Sequence, residues 1–103
     1  MYHGKNCVIT GGSSGLGKAV AEHLLCHGAN VTIVARKKDQ LSQAEGDLQK
    51  YLSHDEQKLL TKSVDVTDYN NVQSAMKEIF DEMGSIQYLF CCAGKIFVIP
   101  IEY

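Results

Sequence analysis

The sequence predicts an α/β fold, a parallel sheet with helices on its faces, in the order β-α-β-α-β-α-β. Three observations predict it. Short β-branched apolar runs alternate with segments whose apolar residues recur every three or four positions. The connections between them are short. The runs NVTIVA and IQYLFCCA are nearly all apolar, as strands covered on both faces are. Right-handed crossovers then order the strands 3-2-1-4.

Each element has its own signals. Cys7 to Thr10 is a short buried strand ended by Gly11-Gly12. Ser14 to His27 reads as a helix with Leu16, Ala19, Val20 and Leu24 about one turn apart, and Gly28 closes it. Asn30 to Ala35 is the second strand. Asp39 to Leu52 is the second helix, with Leu41, Ala44, Leu48 and Leu52 on one face and the basic triplet Arg36-Lys37-Lys38 before it. Leu59 to Val66 is a less regular third strand. Thr67 or Asp68 caps a third helix, whose inward stripe is Val72, Ala75, Met76, Ile79 and Phe80. Gly84 stops that helix after Met83, and Ile86 to Ala93 is the fourth strand.

Composition narrows the function classes. A chain of 103 residues, 45% hydrophobic and 21% charged, suits one globular core and excludes low-complexity disorder. Ten Lys and Arg against twelve Asp and Glu leave a net charge of −2, too even to indicate a nucleic-acid binder. Cys7, Cys26, Cys91 and Cys92 show no CxxC spacing and fit a reducing, cytoplasmic environment. The N-terminal segment does not read as a signal peptide. The longest late apolar run, Ile96 to Ile101, holds Pro100 and is far below the ~20 residues a bilayer span requires.

The glycine loop carries the chemistry. The strand CVIT opens into Gly11-Gly12-Ser13-Ser14-Gly15-Leu16-Gly17 and then into a helix. Gly11 turns the chain, Gly15 lets backbone approach a pyrophosphate, and Gly17 lets helix and strand pack closely. N–H groups at the helix start favour phosphate. At the end of the second strand no carboxylate stands where a ribose 2′-hydroxyl would require one. Arg36 instead offers a planar fork to a 2′-phosphate, Lys37 or Lys38 adds charge, and Ser13 and Ser14 offer hydroxyls. NADPH is therefore expected over NADH.

The spacing from Thr10 to Gly17 is T-G-x-x-x-G-x-G, and on it the chain resembles the short-chain dehydrogenase/reductase family, a Rossmann-type fold. Asp65-Val66 matches the family's Asp-Val/Leu pair beside the adenine, and Cys91-Cys92-Ala93-Gly94 stands where the family has Asn-Asn-Ala-Gly. The resemblance covers residues 5 to 94. It implies a cofactor site of Gly11, Ser13, Ser14, Gly15, Leu16, Gly17, Arg36, Lys37, Asp65, Val66, Ala93 and Gly94. Within the family, GGSSGLGK, SVDVTDYNNV and LFCCAG are similar to the 3-ketodihydrosphingosine (3-dehydrosphinganine) reductases. These use NADPH to reduce a lipid-derived ketone in sphingolipid synthesis at the cytosolic face of the endoplasmic reticulum. Gln40 departs from them where a lysine is frequent.

The resemblance also implies what these residues omit. In the family a tyrosine, with a lysine four residues on and a serine nearby, protonates the developing alkoxide. Tyr51 and Tyr88 have no lysine at that spacing, and Tyr103 is the last residue. No catalytic residue is therefore assigned. The chain is expected to be the dinucleotide-binding half of a reductase domain (1–94) with an atypical tail (95–103), truncated after the fourth strand and inactive alone. The fourth strand's exposed edge would then favour self-association; the other reading of residues 95–103 is a divergent but genuine C-terminus that covers this edge. Other readings are a non-catalytic product that binds NADPH or pairs with full-length relatives, or a serine hydrolase using Ser13 in G-x-S-x-G, whose base would have to be His54. His23 and His27 share a helical face at i, i+4, but no third ligand stands out, so no metal site is expected.

Overall fold

The computed structural model describes residues 3–11, 15–65 and 68–92, and the backbone of 96–100. The elements are β1 (Asn6–Thr10), α1 (Gly15–Cys26), β2 (Asn30–Ala35), α2 (Lys38–Leu48), β3 (Leu59–Ser63), α3 (Tyr69–Met83), β4 (Tyr88–Cys92) and β5 (Ile96–Pro100). A single 3₁₀ turn, Gln49–Tyr51, follows α2. The strands form one sheet in the order β3-β2-β1-β4-β5. The first four are parallel, with Cys7 opposite Val31 and Tyr88, and Val31 opposite Leu59. The predicted 3-2-1-4 order is therefore present.

Period-2 alternation in β1 divides the molecule into two cores. Cys7 and Ile9 point to the α1/α2 side with Leu24, Leu25, Val31, Ile33 and Leu48. Val8 points to the α3 side with Val34, Val64, Ala75, Ile79 and Ile86. The expected stripe of α3 holds: Ala75 and Ile79 are buried, and Val72, Met76 and Phe80 pack around them. In α2, Leu41, Ala44 and Leu48 are buried, while Leu52 lies past the 3₁₀ turn and is half-buried.

The face of α1 differs from expectation. Leu16 is 48% exposed and Ala19 is exposed, whereas Gly17, Ala21, Leu24 and Leu25 are buried. The buried stripe is rotated by about one residue, or about 100°, because the residue without a side chain, Gly17, faces inward. Two strands are shorter than expected. Val64 and Asp65 continue past β3 outside the ladder, and Ile86 is buried ahead of β4 without joining it.

The main correction concerns the fourth strand's edge, expected to be exposed. β5 pairs antiparallel with β4, Cys92 opposite Ile96 and Tyr88 opposite Pro100. The segment IFVIP is apolar and β-branched, and its backbone supplies the donors and acceptors that β4's outer edge would otherwise leave unpaired. β4's outer edge is therefore paired, and the edge of the sheet on that side is β5.

Asn6 ties the opposite end of the sheet together. It is 6% exposed; its Nδ2 donates to the carbonyl of Ser85 (2.8 Å) and its Oδ1 accepts from Asn30 Nδ2 (2.8 Å). This fixes the α3–β4 connection against the starts of β1 and β2.

Candidate cofactor site

The carboxyl ends of β1, β2, β3 and β4 meet at one rim, where open α/β sheets place ligands. Gly11 leaves β1 with φ +74°, and its N–H donates to the carbonyl of Val34 at the end of β2 (2.8 Å). A Cβ at Gly11 would lie 2.6 Å from the carbonyl oxygen of Cys92 at the end of β4. No side chain fits there. Gly15 begins α1 with φ +56°, and the space a Cβ would occupy has no neighbour within 4 Å. Among the described residues the start of α1 is therefore open where a phosphate would approach, and helix N-termini favour such anions. Gly17 is buried in the first turn, and Leu16 stands exposed beside it. Ser13, Ser14, Val66, Ala93 and Gly94, also expected at the site, lie outside the described residues.

Arg36 follows β2 directly. Its carbonyl accepts from Ser63 Oγ (3.0 Å), and the Val64 N–H donates to the carbonyl of Ala35 (2.9 Å). The β2 and β3 exits are thus held together below the basic triplet. Arg36, Lys37 and Lys38 are exposed. Lys37 is the N-cap of α2, and its side chain, which has donors only, makes no capping bond.

Asp65 is half-buried after β3, and its carbonyl accepts from the N–H of Asp68 (3.0 Å). Asp68 caps α3: its carboxylate accepts from the N–H groups of Asn70 (3.0 Å) and Asn71 (3.3 Å). These bonds close a tight turn between β3 and α3. Sequence reasoning named Asp68 as a cap but missed its backbone bond to Asp65, which no side-chain pattern signals.

Burial also acts on two cysteine thiols of the first and fourth strands. Burial, then the neighbouring Cys91, pushes the Cys92 thiol up. Cys7, deeper in β1, is pushed up to about 12 by burial. A nucleophilic cysteine requires the opposite shift. Among the described residues, no group of three or more His, Cys, Asp or Glu side chains is placed to hold a metal.

The His54 required by a hydrolase lies at the other pole. It sits between α2 and β3, its ring 4.9 Å from that of His3, which precedes β1. The glycine loop is at the opposite ends of those strands.

A parallel sheet ordered 3-2-1-4, a left-handed glycine leaving the first strand, and an open helix start define a dinucleotide-binding α/β protein. The family model for short chain dehydrogenases matches residues 5–102, and the chain belongs to that family. It is 44% identical over 92 residues to a 3-ketodihydrosphingosine reductase of Mus musculus, covering 88% of this chain and 28% of that protein. It is 42% identical over 93 residues to a 3-dehydrosphinganine reductase of Danio rerio, covering 89% of this chain and 28% of that protein. The chain thus spans 28% of the length of these relatives. Among solved structures, the L-sorbose reductase of Gluconobacter frateurii complexed with NADPH and L-sorbose superposes with a TM-score of 0.76 at 33% identity. That match covers 84% of this chain and 32% of the other.

Proposed function

We propose that this chain is the NADPH-binding portion of a short-chain ketoreductase whose substrate is 3-ketodihydrosphingosine. The observation that carries the cofactor choice is Arg36, exposed at the exit of β2, one residue beyond Ala35 and beside two lysines. A guanidinium there forms a bidentate, charge-assisted contact with a 2′-phosphate, whereas a 2′-hydroxyl is recognised best by a carboxylate. The open start of α1 receives the pyrophosphate, with Ser13 and Ser14 donating hydroxyls. Asp65 and Val66 border the adenine. Ala93 and Gly94 border the nicotinamide ring, which supplies a hydride when bound in reduced form.

The substrate reading is supported by the names of the two vertebrate relatives and by the resemblance carried by the GGSSGLGK, SVDVTDYNNV and LFCCAG segments. With it comes a place in sphingolipid synthesis at the cytosolic face of the endoplasmic reticulum. Among the described residues, no helix is long and apolar enough to cross a membrane. The proton donor for the alkoxide is not among these 103 residues, since no Tyr-x-x-x-Lys pair occurs in them. These residues account for cofactor binding and not for the proton-transfer step.

The test is titration of NADPH and NADH, followed by the fluorescence of the reduced nicotinamide. NADPH binds more tightly, and Arg36→Ala weakens NADPH about tenfold, the loss of one charged contact of ~1.5 kcal/mol. NADH affinity is unchanged by that substitution. Equal affinity for both cofactors, or none for either, overturns the reading, as does ketone reduction by the chain alone.

A further inference from the structure

We infer that the last turn of α1 carries a binding site for a borderline divalent cation of the Zn²⁺ type, made by His23 and His27. The two rings lie with centres 4.3 Å apart and planes at 38°. In a tetrahedral chelate with Zn–N at about 2.1 Å the ring centres stand about 5 Å apart, so the two exposed rings have to open slightly from their present separation to share one metal. His27 Nδ1 lies 2.8 Å from the carbonyl oxygen of His23. A carbonyl only accepts, so Nδ1 carries the proton and the Nε2 lone pair is left for a metal. This backbone bond orients the ring as the outer partners of metal-bound histidines do. Both side chains are exposed. The negative end of the helix dipole at this turn adds attraction for a cation. Two imidazoles supply half of a tetrahedral set, and water completes it.

The second histidine pair is built differently. His3 and His54 have ring centres 4.9 Å apart. His54 Nε2 is buried without a partner, and His3 Nδ1 is packed over Gly28, 2.7 Å from where a Cβ would stand. His3 is exposed and His54 half-buried, with the His54 nitrogen enclosed and His3 Nδ1 facing Gly28, and this pair serves as the control.

ZnCl₂ is titrated into the full chain, with binding followed by calorimetry and by the imidazole Hε1 NMR signals. One Zn²⁺ binds, and the His23 and His27 signals move together in the unmodified chain. His23→Ala and His27→Ala each weaken binding about hundredfold, because the second imidazole then no longer binds intramolecularly. His3→Ala and Cys26→Ser leave it unchanged. The NMR readout requires no substitution, so a variant that loses its fold does not decide the outcome. Binding unaffected by His23→Ala, binding abolished by His3→Ala or Cys26→Ser, or no movement of the two signals overturns the inference.

Discussion

Gly11 and Cys92 meet so closely that a Cβ on the first would lie 2.6 Å from the carbonyl oxygen of the second. The contact joins the exits of β1 and β4, and the atom it would displace is backbone, which cannot swing aside. Gly11 also has φ +74°. Gly11→Ala therefore combines backbone strain with a steric clash, and we expect a loss of about 2–3 kcal/mol. Denaturant unfolding measures it. NADPH affinity falls with it, since the strand exits move apart.

Asp68 accepts from two N–H groups in the first turn of α3. Asp68→Ala removes both bonds and costs about 1 kcal/mol. Asp68→Asn retains an acceptor and recovers most of that loss. Thermal unfolding of the pair separates capping from charge; equal destabilisation by both variants would show that charge dominates.

Alkaline pH weakens the fold. Cys7 keeps its proton up to about 12 in the folded chain, against 9.0 for the ordinary thiol, because it is buried. Its folded pKa is raised, so its contribution is complete below 9.0 and is lost as pH rises toward about 12. Lys62 is shifted in the same direction, chiefly by its hydrogen bond to Glu82 (2.7 Å), and its contribution is present below 10.5 and lost above. Denaturant midpoints from pH 7 to 11 decline in the upper half of that range. Cys7→Ala flattens the decline that begins near 9, and a profile unchanged by that substitution would exclude Cys7 as its source.

Ile79 is fully buried against the α3 side of the sheet. Ile79→Ala opens a cavity there and costs about 2–5 kcal/mol. Leu16→Ala, at an exposed position, stays within about 0.5 kcal/mol. The two unfolding curves form a direct comparison of buried and exposed apolar residues.

Much of this was legible in the sequence because the signals were local. Runs such as NVTIVA state a buried strand outright, and β2 has the predicted bounds. Asp68 and Gly84 mark the ends of α3 by capping chemistry alone. The face of α1 was not legible. Leu16 and Ala19 satisfy helical periodicity, yet the helix turns its small residues Gly17 and Ala21 to the sheet, a choice made by close packing between elements. Antiparallel pairing of β5 was missed for a similar reason, since apolar, β-branched composition in IFVIP indicates a strand but not its direction. At the site, the glycine spacing and Arg36 were readable, whereas the Gly11–Cys92 approach depends on residues 81 positions apart.

The two cores on either side of the sheet give the rim two anchors of unequal strength. Among the described residues, the α1/α2 side buries thirteen hydrophobic residues and the α3 side six. Partial opening is therefore expected to start with α3 lifting away, taking the Asp68 turn and Asp65 with it. Gly11 and α1 stay in place, held from the other face. Amide exchange is expected to be faster in α3 than in α1, and a bound dinucleotide that touches both halves slows α3 the more. On the function proposed above, a dinucleotide lying across the rim is a clasp over that seam.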